Sequence, residues 1–197
     1  MPKVSEEHRT ARREQILDAA IGCVAREGFH KTTMAHVIAE SGLSAGAVYG
    51  YFRGKPDLIR AIASRALGGF AESLAEVATR PGRVTVVSGV EALVAHVERL
   101  AESSHDAIPL VALHAWSEAA RDDEVHEIVR SNVAVVHRAW LEVLRRAEAD
   151  GTLPPGDHDA MARALLGLVP GFLVLGPLLG EIDGPTYVAA VAALMRH

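Results

Sequence analysis

Residues 28–58, GFHKTTMAHVIAESGLSAGAVYGYFRGKPDL, constrain the fold of this chain more than any other stretch. They read as two short helices around a glycine turn. Thr32 or Thr33 can cap the first helix, and Met34, Val37, Ile38 and the small Ser41 fall at i, i+3, i+4 and i+7, which makes one buried stripe. Gly42 supplies the turn. Ser44 is the natural N-cap of a second helix ending near Phe52, whose Val48 and Phe52 pack inward at i, i+4 while Ser44, Ala45, Tyr49 and Tyr51 stay free. A free helix face in this arrangement suits a DNA major groove.

The rest of the chain reads as helices. Its 197 residues lie just above the usual single-domain size and can bury a sizeable core. Helix boundaries are marked by Gly28, Pro56, the Pro81-Gly82 break, Pro109, Asp122, and Gly151 with Pro154-Pro155. Leu93, Val94, Val97, Leu100 and Ala101 trace one amphipathic stripe, and Val129, Val133, Val136, Trp140, Leu141 and Leu144 another. The valine-rich run from Val84 to Val90 has β-branched character, but the helical periodicity around it favours the start of a helix. Nine helices fit, and no strand is convincing.

The net charge of −5 argues against indiscriminate coating of nucleic acid. It is unevenly spread: residues 1–60 carry nine Lys/Arg against seven Asp/Glu, so the remainder is −7. That split fits a DNA-facing N-terminal part and an acidic body. Cys23, alone of its kind, allows no intrachain disulfide and lies on the apolar side of the first helix near Ile16, Ala20 and Val24, as a packing thiol with redox sensing the alternative. The polar start MPKVSEEHRTARREQ has no signal-peptide pattern, so a cytoplasmic location is expected. The uncharged segment Ala164–Gly180 is interrupted by Pro170 and Pro177 and is short for a membrane span. It reads as a helix buried on nearly every side, with Gly167, Gly171, Gly176 and Gly180 admitting a second helix closely, as at a subunit interface. A shorter helix follows, opened by Asp183, Gly184 and Pro185, with Val188, Val191, Ala192 and Met195 as its stripe.

The run SGLSAGAVYGYF followed by Lys55 resembles the turn, recognition helix and following lysine of the TetR/AcrR family of transcriptional regulators. The resemblance covers roughly residues 9–65, and beyond them only length and helical layout agree. It implies an all-α, nine-helix architecture: a helix-turn-helix DNA-binding domain at 1–55, then an effector-binding and dimerisation domain at 56–197. The chain departs from the family at Gly50, which stands between Tyr49 and Tyr51 where large residues are common. The implied function is a ligand-responsive repressor that binds a near-palindromic operator as a homodimer, paired through helices at about 157–180 and 185–196, and is released by a small effector. No catalytic role, cofactor or metal is implied.

Contacts to DNA divide into those that position and those that specify. Thr33, Tyr49, Tyr51 and Lys55, the last with Pro56 at a helix N-terminus, are placed for phosphates. Ser44, Ala45, Gly46 and Ala47 offer one hydroxyl, methyl groups and bare backbone, with no Arg, Asn or Gln for bidentate pairing. Readout then rests on thymine-methyl contact by Ala45 or Ala47, close backbone approach at Gly46, Gly50 in place of a side-chain contact, and DNA shape. Lys3, Arg9, Arg12 and Arg13 form a basic arm that either assists this or pairs with Glu6, Glu7 and Glu14.

In the body, Phe70, His96, His114, Trp116, His137, Trp140 and Phe172 are the candidates to line an effector pocket, and the aliphatic interior implies a largely apolar ligand. A packing or hydrogen-bonded role is the commoner one for each of them. Two alternatives remain open. A DNA-bound interaction protein without a ligand would keep the same first domain. A metal-dependent helical-bundle enzyme would use Glu102 with His105 and Asp123 with His126, but it needs two further inward glutamates, and both pairs lie near helix ends in strongly charged surroundings.

Overall fold

The computed structural model describes residues 6–104, 107–180 and 182–195, without the side chains of residues 66–68, 101–104, 107–110, 112 and 174–178. Lys3 of the basic arm and His105 therefore lie outside the described residues, as do the side chains of Ala101, Glu102 and Pro177. The described residues are helical throughout their ordered elements and include no strand. They form α1 (Glu6–Lys31), α2 (Met34–Ser41), α3 (Ala45–Tyr51), α4 (Lys55–Thr79), α5 (Val86–Ser104), α6 (Ala107–Ala119), α7 (Asp123–Ala149), α8 (His158–Leu165), α9 (Leu168–Leu179) and α10 (Gly184–Leu194). Leu166 and Gly167, which alone separate α8 from α9, both keep right-handed helical dihedrals. The pair is one interrupted helix, and on that count the described residues hold the nine helices expected.

The chain divides into two compact units. The described residues within 1–66 and 106–130 form one, and those within 67–105 and 131–197 the other. In the first unit, α1 buries Ile16, Leu17, Ala20, Ile21, Cys23 and Val24 along one face, against Val37, Val48, Phe52, Leu58, Ile62 and, from α6 and α7, Val111, Val125 and Ile128. Glu6 and Glu7 lie in the first turn of α1, where negative charge opposes the positive end of the helix dipole. The helix is broken at Gly28, with φ 78° and ψ 167°, a region open essentially to glycine alone.

In the second unit, Phe70, Leu74, Val90, Leu93, Val94, Val97, Val136, Trp140, Val143 and Leu144 form the core with Ala162, Leu165, Val169, Leu173 and Val191. The valine run does open a helix. Thr85 and Ser88 cap α5 reciprocally, Ser88 N–H donating to Thr85 Oγ1 at 3.1 Å and Thr85 N–H to Ser88 Oγ at 3.3 Å. Asp157 and Asp183 cap α8 and α10, the latter with proline in its first turn. The Asp150 carboxylate accepts from Val84 N–H at 2.8 Å and from Arg146 Nε at 3.0 Å. The Val84 hydrogen bond, with Arg146 behind it, holds that carboxyl below the usual aspartate range.

One expectation needs correction. The segment from Ala164 is not a single helix buried on nearly every side: it is interrupted at Leu166 and Gly167, Ala164 and Gly167 are exposed, and Leu179 is 80% exposed. Leu165, Val169 and Leu173 are covered by the core of the one chain, and Leu179 is not. Met195, expected on the inner stripe of α10, is exposed as the C-cap, while Val191 is buried and Val188 and Ala192 are half-buried.

Candidate nucleic-acid interface

Thr33 is the residue that caps α2, its hydroxyl accepting from His36 N–H at 3.2 Å. Thr32, the other candidate, is buried and does something else: its hydroxyl and its N–H both donate to the Gly28 carbonyl, at 2.8 and 3.2 Å. Gly42 ends α2 in the left-handed conformation expected of a helix C-terminus. Ser44 caps α3 by accepting from Ala47 N–H at 3.3 Å. Val48 and Phe52 are buried as the pattern requires. Gln15 of α1 donates to the Ser41 carbonyl at 2.8 Å, which ties the turn between the two short helices to the first.

The outer face of α3 is left bare. Ser44, Ala45, Gly46, Tyr49 and Gly50 are exposed, and Tyr49 keeps half its surface in solvent. Ala47 is half-buried, and Tyr51 packs partly against the core. A Cβ placed on Gly46 or on Gly50 would meet no atom of the chain within 4 Å. Neither glycine is needed for packing, although each weakens a helix interior by about 0.8–1.0 kcal/mol relative to alanine. Around Gly46 and Gly50 the face is neutral and unoccupied by the chain's own side chains.

Positive groups border this face. Lys55 opens α4, and its Nζ donates to the His30 carbonyl at 3.3 Å. That bond uses one of three ammonium N–H groups. Asp57, in the same first turn, accepts from Arg53 N–H at 3.0 Å and pairs with Arg60, so the anion-attracting end of α4 is already partly filled by a carboxylate. Arg13 lies over the Phe52 ring at 5.4 Å and pairs with Glu14, while Arg12 donates to Gln15. Arg12 and Arg13 of the arm are thus engaged within the chain.

The body candidates separate. His96 and Phe70 meet edge to face, with ring centroids 4.8 Å apart. Burial, then the nearby Arg99 charge, pushes the His96 pKa down, which keeps the ring neutral at pH 7. Trp140 is 1% exposed and belongs to the same core, its indole lying where a Cβ on Gly89 would come within 2.5 Å. Phe172 packs on Tyr187 at 4.9 Å, and His137 Nε2 lies 3.2 Å from Asp159. His114 and Trp116 belong to the first unit instead, where the His114 ring rests on Gly28 and Trp116 is 55% exposed. Spacing along one helix could not show which unit α6 would join. His126 bonds back to the Ala119 carbonyl, 3.2 Å from Nδ1. Among the described residues no three His, Cys, Asp or Glu side chains gather around a common point.

Two capped helices around a left-handed glycine, the second with its outer face bare, form a helix-turn-helix. The model for bacterial regulatory proteins of the tetR family matches residues 16–62. The HTH-type transcriptional repressor Rv1474c of Mycobacterium tuberculosis is 42% identical over 87 residues, 44% of each chain. The HTH-type transcriptional regulator UidR of Escherichia coli K12 is 27% identical over 82% of this chain and 79% of its own. SmeT, the repressor of the Stenotrophomonas maltophilia multidrug efflux pump SmeDEF, superposes in its triclosan complex with a TM-score of 0.78 at 26% identity, covering 93% of this chain and 91% of that one. The chain belongs to the TetR family of transcriptional regulators. The matched region spans less than half the length of the first curated relatives. No helix among the described residues is long and apolar enough to cross a membrane.

Proposed function

We propose that this protein is a ligand-responsive transcriptional repressor that binds a near-palindromic operator as a homodimer. Residues 1–55 form its DNA-binding domain and 56–197 its effector-binding and dimerisation domain. The observation that carries this reading is the bare outer face of α3, where Gly46 and Gly50 have no neighbour in the chain. Such a surface lets backbone approach base edges, and the smallness of Ala45 and Ala47 leaves room for thymine methyls. Thr33, Tyr49, Tyr51 and Lys55 supply the surrounding phosphate contacts, and Ser44 offers its hydroxyl to a base edge.

Repression rather than activation follows the two relatives described as repressors, Rv1474c and SmeT. SmeT forms a complex with triclosan, and we extend that to a small effector bound in the aliphatic second unit by Phe70, His96, His137, Trp140 and Phe172. The apolar surplus at Leu179, Ile182, Leu194 and Met195 is where α8 to α10 would meet a second copy. Effector binding weakens DNA binding to the extent that it prefers the conformation with separated recognition helices. A regulator of this kind works in the cytoplasm.

The test is selection and sequencing of genomic fragments bound by the purified protein, followed by titration of the best site at several salt concentrations. Enrichment of a near-palindrome is the expected result, with half-sites about one helical turn or a multiple apart. Uniformly weak binding with no enriched fragment would overturn the reading.

A further inference from the structure

The link between α1 and α2 is held from an unexpected side. Gly28 takes backbone dihedrals that a side chain would disfavour, and the ring of His114, on α6, sits directly on it: a Cβ there would lie 3.1 Å from His114 Nδ1. One turn further along α6, Glu118 lies 3.9 Å from His30 Nδ1. His114 and Glu118, at i and i+4, therefore share a face of α6 and address residues 28 and 30 of the link. Phe29 between them is buried, as is Val111 of α6 in the same core. On its other side the link carries two functional attachments. The Gly28 carbonyl receives both bonds from Thr32, immediately before the α2 cap, and the His30 carbonyl receives the Lys55 ammonium.

We propose that His114 is a positioning residue for DNA binding: by seating on Gly28 it fixes the His30 carbonyl, which in turn holds Lys55 at the operator backbone. This rests on the DNA-binding reading above and adds to it a residue some sixty positions from the helix-turn-helix that touches no nucleic acid. The hydrogen bond from Lys55 to His30 leaves two ammonium N–H groups for a phosphate. It restricts a flexible four-carbon stem whose immobilisation would otherwise oppose binding. Loss of the ring frees the Gly28 link, and with it the fixed acceptor for Lys55.

A double-mutant cycle with the full-length protein tests this. The variants are His114→Ala, Lys55→Ala and the double, with His114→Phe as the ring-preserving control. Each is titrated by fluorescence anisotropy against a 30-base-pair duplex of the best selected fragment and against a scrambled duplex of the same composition, at four salt concentrations. Lys55→Ala reduces the salt slope by about one unit. His114→Ala is expected to reduce it by about the same amount and to weaken operator binding several-fold, His114→Phe to restore both, and the double variant to lose no more than Lys55→Ala alone. Additive losses, or a His114→Ala defect with an unchanged salt slope, overturn the proposal and leave His114 as packing. A His114→Ala protein that melts lower yet keeps the operator affinity of the parent overturns it too. If Lys55→Ala binds both duplexes like the parent, it is the DNA-binding reading of Lys55 itself that fails, a result distinct from the others.

Discussion

Three helical glycines, Gly89 in the second unit and Gly46 and Gly50 in the first, are used in opposite ways. In the second unit Gly89 lies against the Trp140 indole, and a single added carbon would come within 2.5 Å of the ring. In the first unit Gly46 and Gly50 face nothing at all. The helix backbone is the same in both places and so is the intrinsic penalty for glycine. At Gly89 the chain recovers that penalty internally, through close packing of a large aromatic. At Gly46 and Gly50 nothing within the chain recovers it, which points to a surface shaped for something outside.

The comparison can be broken by adding one carbon at a time. Gly89→Ala has the largest expected effect: overpacking against Trp140 destabilises by about 1–3 kcal/mol, which for a protein of this size lowers the melting temperature by roughly 2–4 °C per kcal/mol. Scanning calorimetry, with Trp140 emission moving toward that of a wetter indole, would check it. A variant that melts at the parent's temperature would show that the ring has room. Gly28→Ala follows, costing on the order of 1–3 kcal/mol for the strained dihedrals, and operator affinity should fall with it because Thr32 and Lys55 both depend on that link.

Gly50→Ala should do the reverse, raising stability by about 0.4–1 kcal/mol while weakening operator binding. Stability and affinity rising together would mean that no partner approaches α3 closely at that position. The smallest effect is expected for Asp150→Asn. The folded protein depresses that carboxyl, so its contribution is complete above the unfolded value and is lost as pH falls through the folded one. Melting curves from pH 7 to pH 3 should show Asp150→Asn with a shallower acid limb than the parent.

The helix-turn-helix was legible because its information is local. Cap, stripe and turn residues lie within a few positions of their partners, and Thr33, Gly42, Ser44, Val48 and Phe52 all take the roles that spacing assigns. Gly28 was legible as a helix end, but its attachment to Thr32 was not, since a threonine beside a better cap gives no sign of bonding backward. The role of α6 could not be read either. His114 and Trp116 have the aromatic and polar character of pocket residues, and only the tertiary fold places them in the unit of the DNA-reading helices. The same holds for Lys55: its charge suggested a phosphate, while its bond to a carbonyl 25 residues earlier in the chain depends on how α1 ends. Hydrophobicity in the segment from Ala164 reports that a surface seeks cover, and not whether its own chain or a second copy provides it.

Cys23 is 2% exposed, and burial raises the pKa of its thiol. Folded protein is consequently almost a blank background for thiol chemistry. A cysteine introduced at exposed Ala45 would be the one reactive thiol per chain, so a dimer would carry a single pair of labels, one on each recognition helix. Dipolar spectroscopy on that pair would read the distance between the two helices directly, with and without effector. Slow modification of Cys23 in the same sample would serve as a clock for global opening.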